Sequence, residues 1–255
     1  MTLRVFITGA SSGIGAALAR HYAGRGAVLG LVARRRGALS DLVAGLPGEH
    51  GVYFVDVADG EALAGAAADF IARFGVPDVV IANAGVSVGT LTEDAGDLRA
   101  FERVLRTNVV GMVATFQPFV AAMRRRGDGR LVGIASVAGI RGLPGAGAYS
   151  ASKAAAIAYL ESLRVELHGS GVKVVTLAPG YIETPMTAVN RYPMPFLMPV
   201  DKAAARFVRR IEAGSSYAVV PWQMGLVAKL LRLLPNPVYD FIFSRAGRKP
   251  RGLPL

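Results

Sequence analysis

Short, nearly unbroken apolar runs alternate along the chain with longer stretches whose apolar residues return every three or four positions. The runs are Leu3 to Ile7, Ala27 to Ala33, Gly51 to Val55, Val79 to Ala82, Leu131 to Ala135 and Val172 to Leu177. Runs of this length and continuity predict strands buried on both faces. Between them, helical spacing predicts helices over about Ile14 to Gly24, Ser40 to Leu46, Gly60 to Phe74, Phe101 to Met123 and Ser152 to His168. Such alternation predicts an α/β architecture, a parallel sheet covered by helices on both sides. No repeat or linker interrupts it, so residues 1–255 read as one domain. Two segments depart from the alternation. Residues 180–199 are rich in Pro, Tyr and Met, lack a period, and read as a lid or loop. Residues 221–255 form an apolar and basic extension, with a short helix over Gly225 to Leu234 closed by Pro235 and Pro237. From Arg245 it reads as a loose basic tail.

Composition narrows the classes. Hydrophobic residues make up 52 % of the 255 and charged residues 18 %, which excludes global disorder. With no cysteine, disulfides, thiol catalysis and cysteine-held metal are excluded. Three dispersed histidines predict no metal site. Neither a secretory leader nor a run of about 18 apolar residues is visible, so a cytoplasmic location is expected. The net charge of +11 is uneven, because from Lys202 onward there are 10 basic and 2 acidic side chains. That end reads either as solvated surface or as a contact for an anionic membrane. It carries no aromatic platform or recognition motif, so no specific nucleic-acid binding is expected.

The candidate chemistry starts directly after the first strand, at Thr8-Gly9-Ala10-Ser11-Ser12-Gly13-Ile14-Gly15. There Gly9 allows a tight turn, Gly13 a close approach to phosphate, and Gly15 close packing of helix on strand. The helix N-terminus offers unpaired N–H groups to a pyrophosphate. The second strand ends in Ala33-Arg34-Arg35-Arg36, where no carboxylate stands to hold ribose hydroxyls. Arginine pairs with a 2′-phosphate, so NADP is expected rather than NAD, with Arg34 as main contact and Arg35 as helper. Asp56 closes the third strand, placed to accept an adenine amino group. Asn83-Ala84-Gly85 closes the fourth and sets small residues against the cofactor. Tyr149 and Lys153 stand four apart, on one face of a helix. An ammonium beside a phenol favours the phenolate and suits the tyrosine to proton transfer near neutral pH. Ser136, just after the fifth strand, offers a hydroxyl to a carbonyl or alcohol oxygen.

In combination these motifs resemble the short-chain dehydrogenase/reductase family over about residues 3–185. The glycine motif, Asn83-Ala84-Gly85, the series Asn108, Ser136, Tyr149 and Lys153, the turn Pro179-Gly180 and Thr184 all fall in the family's order. The resemblance implies a Rossmann-like, doubly wound sheet of about seven strands and NAD(P)-dependent hydride transfer between a carbonyl and a secondary alcohol. It implies Tyr149 as acid/base, Lys153 as its partner and holder of the nicotinamide ribose, Ser136 on the substrate oxygen, and Asn108 supporting a water in the proton relay. The cofactor set it implies adds Ser11, Ser12, Ile14, Val57 and Ile182, with Thr184 at the nicotinamide amide. Many NADP-using relatives carry a basic residue just before the second glycine. Here it is Ser12, so the NADP expectation rests on Arg34 and Arg35. The family also implies a homodimer or homotetramer through the helices of Phe101 to Met123 and Ser152 to His168. Ala154, Ala155, Ala156 and Ala158 suit either a close helix contact or a core face.

The substrate wall is expected at Val137 to Ile140 and Leu143 to Ala146, under a lid over Thr187 to Met198. With Met186, Tyr192, Met194, Phe196 and Met198 on offer, the wall favours a hydrophobic carbonyl or alcohol. Arg141 and Arg191 would instead anchor a carboxylate or phosphate. A second class of function, a catalytically silent nucleotide-binding regulatory or scaffold protein, is open to the same fold. For the extension, two readings stand. Its leucines and aromatics cover the pocket or a neighbouring subunit, or they enter an anionic membrane surface beside Lys and Arg.

Overall fold

The computed structural model describes residues 2–253. Seven strands form one parallel sheet: β1 (Arg4–Thr8), β2 (Val28–Val32), β3 (Gly51–Tyr53), β4 (Val79–Ala82), β5 (Gly129–Ile134), β6 (Val172–Pro179) and β7 (Tyr217–Val220). Their order is β3-β2-β1-β4-β5-β6-β7. The helices are α1 (Gly13–Ala23), α2 (Arg36–Ala44), α3 (Gly60–Phe74), α4 (Asp97–Leu105), α5 (Gly111–Arg126), α6 (Gly147–Glu166), α7 (Pro185–Ala188), α8 (Val200–Glu212), α9 (Trp222–Leu233) and α10 (Asn236–Phe243). One sheet face is covered by α1, α2 and α8, around Leu18, Tyr22, Leu39 and Phe207. The other is covered by α3, α5 and α6, around Phe70, Phe116, Phe119 and Leu160. Side chains are thus buried on both faces of the strands, which is why the strands read as continuous apolar runs. This is the doubly wound, Rossmann-like single domain that the alternation predicts.

The chain leaves β1 toward β2 and β3, then returns to place β4 on the other side of β1. That reversal opens a crevice at the carboxyl ends of β1 and β4, where ligands bind in sheets of this kind.

Several predicted elements change. Residues 101–123 read as one helix, but a π-helical turn, Arg106–Val110, divides α4 from α5. The apolar period runs through all three, so spacing could not locate the break. Three elements went unread: α8, β7 and α10. In α8 the buried Ala203, Ala204, Phe207, Val208 and Ile211 hold a clear helical period diluted by six charged residues. The four-residue β7 is too short for alternation to register. Pro235 and Pro237 close α9 and also start α10, since Pro235 is its N-cap and Pro237 stands in its first turn. Residues 180–199 hold only the short α7 and a bridge between Ile182 and Met198.

The loose tail from Arg245 is a misreading as far as Leu253; residues 254–255 lie outside the described residues. The Gly89 amide donates to the Pro250 carbonyl at 2.9 Å. Lys249 is buried, and its Nζ donates to the Met186 carbonyl at 3.0 Å. Arg251 pairs with Asp94, and with Asp97 at 2.7 Å. Composition alone cannot show that three basic-segment contacts have partners elsewhere in the chain.

Candidate active site

A cavity of about 670 Å³ opens at the crevice. Of the candidate catalytic and cofactor-binding residues, all but Gly15 and Asn108 line it. The floor is the turn between β1 and α1. Gly9 has φ +66°, and a Cβ there would stand 2.7 Å from the Ala84 Cα. A Cβ on Gly15 would run into the Gly9 carbonyl oxygen, so Gly15 serves the packing that shapes the turn. Asn83 braces the same turn: its Nδ2 donates to the carbonyls of Thr8 at 3.0 Å and Gly9 at 3.1 Å. Ser12 caps α1 without using its side chain, and the first turn of α1 holds no acid. The amides and the Ser12 hydroxyl there are free to meet an anion.

At the end of β2, Arg35 reaches back to this turn, with its Nη2 donating to the Ser11 Oγ at 3.1 Å. Arg34 lies 3.6 Å from Asp56. Asp56 also accepts a 2.6 Å hydrogen bond from Arg103, a residue of α4 that sequence reasoning missed. Its Oδ1 accepts from the Ala58 amide at 3.0 Å. Burial alone would raise the Asp56 carboxyl, but the Ala58 amide and the two guanidinium groups hold it below its ordinary value. Nothing in the local sequence around Arg103 signals this contact, because it joins residues 47 apart.

At the other end stand Ser136, Tyr149 and Lys153. The β5 terminus presents Ser136, whose Oγ accepts from the Ala138 amide at 3.1 Å. Tyr149 lies in the first turns of α6, and Lys153 follows one turn later. The Lys153 Nζ donates to the Ile134 carbonyl at 2.7 Å and sits 5.8 Å from the centre of the Tyr149 ring. Burial lowers the Lys153 ammonium to about 8. Burial raises the Tyr149 phenol, with the Ser136 hydroxyl opposing. In the protein alone, desolvation is the dominant influence on this phenol. The Asn108 side chain is wholly buried in the π turn. Its Oδ1 accepts from the Val86 amide at 2.8 Å, and its Nδ2 donates to the Val86 carbonyl and the Ser152 Oγ at 2.9 Å each. It ties the segment after β4 to α6, beside Lys153, rather than facing the cavity. Thr107, next to it, lines the cavity, and its buried hydroxyl has no protein partner.

The substrate side also departs from expectation. Arg141 donates to the carbonyls of Leu231 and Leu234 and to Asn236, and lies 3.8 Å from the Tyr239 ring centre. It therefore caps the end of α9 and anchors no substrate anion. Arg191 is exposed and lies outside the cavity lining. Met198 is buried in the core, whereas Met186 and Thr187 line the cavity.

A glycine turn at a sheet reversal, an anion-ready helix terminus and a half-buried tyrosine beside a buried lysine define a class: dinucleotide-dependent oxidoreductases. A dinucleotide suits these residues, since the turn between β1 and α1 leaves no room for a Cβ at Gly9 and the α1 terminus presents its first amides to an anion. The family model for short chain dehydrogenase matches residues 4–194. An uncharacterised oxidoreductase of Myxococcus xanthus is 39 % identical over 92 % of this chain and 93 % of its own. Among solved structures, a short-chain dehydrogenase from Streptomyces avermitilis superposes with a TM-score of 0.79 at 28 % identity, over 96 % of this chain and 98 % of that one. L-Sorbose reductase from Gluconobacter frateurii, solved with NADPH and L-sorbose, gives 0.76 at 25 % identity, over 86 % and 95 %. The chain belongs to the short-chain dehydrogenase/reductase family and is an NAD(P)-dependent oxidoreductase acting on carbonyls or alcohols.

Proposed function

We propose that the protein uses NADP(H) to interconvert a hydrophobic carbonyl compound and its secondary alcohol, with Tyr149 as acid/base. The observation that carries this reading is one cavity lined by both the Arg34–Arg35 pair and the Ser136–Tyr149–Lys153 cluster. Arg34 and Arg35 would hold a 2′-phosphate with Ser11, since Arg35 already reaches that hydroxyl. The α1 terminus would hold the pyrophosphate, and Ile182 and Thr184 the nicotinamide end. The bound cofactor supplies or accepts the hydride. Ser136 donates a hydrogen bond to the substrate oxygen and fixes it beside the Tyr149 hydroxyl. In reduction, Tyr149 gives its proton to that oxygen; in oxidation, its phenolate takes one. Burial holds the phenol protonated across neutral pH, which suits reduction. Lys153 orients the nicotinamide ribose through the donors that Ile134 leaves open, and Asn108 holds the framework behind it. An apolar substrate is favoured by Val86, Ile182 and Met186 on the cavity wall and by Arg141 being engaged elsewhere.

The test is turnover of a panel of apolar ketones and charged ketoacids, with Tyr149→Phe as control. Apolar ketones should turn over, and Y149F should lose about 10²- to 10⁴-fold in kcat while still binding NADPH by calorimetry. Cofactor binding without turnover on any ketone would instead indicate the silent regulatory or scaffold protein.

A further inference from the structure

The outer side of the C-terminal helix pair is apolar and bare among the described residues. On α9, Trp222, Leu226, Leu230 and Leu233 recur at spacings of four, four and three, and are 62 %, 59 %, 63 % and 80 % exposed. At about 100° per residue they form a stripe about 80° wide. Lys229 borders that stripe, Arg232 lies beyond it, and both are exposed. On α10, Val238, Phe241 and Ile242 share an exposed side, with Phe241 82 % exposed. Asp240, the only acid after Glu212, lies on roughly the opposite side of α10. Arg245 and Arg248 follow, exposed. The inner sides are fixed to the body: Met224, Ala228 and Tyr239 are buried, Arg141 caps α9, and the Tyr239 hydroxyl donates to the Gly142 carbonyl at 2.5 Å. The pair is therefore held with its apolar sides facing away from the body. This overturns the reading in which these leucines are buried over the pocket.

We propose that this face docks the protein on the surface of an anionic phospholipid bilayer. The apolar stripe would enter the headgroup boundary while Lys229, Arg232, Arg245 and Arg248 meet lipid phosphates. Charge decides against a second copy as occupant. α9 carries Lys229 and Arg232 and no acid, so a two-fold pairing of this helix gains no charge pair from it, whereas lipid phosphates complement both cations. Contact is peripheral, because among the described residues no helix is long and apolar enough to cross a membrane.

Trp222 is the only tryptophan of the chain, so its fluorescence reports on the stripe directly. The full-length protein is mixed with vesicles of phosphatidylcholine alone or with phosphatidylglycerol added, at low and high salt. Sedimentation with the anionic vesicles and a blue shift of Trp222 emission are expected at low salt. Both should weaken in high salt and on neutral vesicles. Leu226→Glu with Leu230→Glu should cut the bound fraction about tenfold or more while ketone turnover in solution stays unchanged. Light scattering of the same variant completes the test. No binding to anionic vesicles at low salt, or undiminished binding of the double variant, overturns the proposal. A loss of oligomer mass in that variant also overturns it, in favour of a copy-to-copy contact.

Discussion

Single residues carry most of what could be read from the chain without coordinates. Gly9, Gly13, Tyr149 and Lys153 are legible because each makes its contribution within a short span, a turn or a helical face. Arg103 and Lys249 are illegible for the opposite reason: each acts across tens of residues or more, one on Asp56 and one on Met186. Lys249 also sets a pH dependence. Burial lowers its ammonium from 10.5 to about 8, as it does for Lys153. Between about pH 8 and 10 the folded protein therefore binds fewer protons than the unfolded chain, and stability rises with pH. Above about pH 10 the sign reverses, because burial raises the phenols of Tyr22 and Tyr53 and the unfolded chain loses those protons first. Melting temperature followed across pH 7 to 11 should thus peak near pH 10, at about the ordinary tyrosine value. Lys249→Met should remove about half of the rise, leaving the part due to Lys153. A rise unchanged in that variant would mean that Lys249 titrates as it does in solution.

Among the elements, α6 shows how one pattern can serve two surfaces. Its alanines left open a core face and a helix contact, and the structure divides them. Ala156 and Leu160 are buried, whereas Ala151, Ala154, Ala155 and Ala158 are exposed at helical spacing. Val165 is exposed near the end of the same helix, and Val110 and Val113 are exposed on the π turn and α5. Small side chains permit close approach of a second copy, which is what the homodimer or homotetramer expected from the family resemblance would require. Light scattering should give a multiple of 26.7 kDa at micromolar concentration, and Ala155→Arg should reduce it to the monomer. A wild-type monomer would contradict the assembly. The break at Arg106–Val110 and the four-residue β7 escaped prediction on local grounds: an uninterrupted period hides a π turn, and four residues barely show an alternation.

At the scale of the molecule, the sheet reversal turns separate sequence motifs into one site. It gathers the ends of β1, β2, β3, β4, β5 and β6 around a single cavity, with arginines at one end and the phenol at the other. The doubly wound fold was readable because six strands are buried on both faces. The exposed side of α9 and α10 was not, since apolar composition alone says nothing about which way a helix faces. The proposed function has the arginine end of the cavity select the phosphorylated dinucleotide. It is tested most directly by kcat/KM for NADPH and for NADH on one apolar ketone. Loss of a charge-assisted hydrogen-bond partner costs about 1.5–3 kcal/mol, so NADPH should be favoured about tenfold to a hundredfold or more. Arg34→Asp should reverse the preference by removing the cation and offering a carboxylate to the ribose hydroxyls. Equal use of the two cofactors, or a preference of the unaltered protein for NADH, would contradict selection of the 2′-phosphate by Arg34 and Arg35.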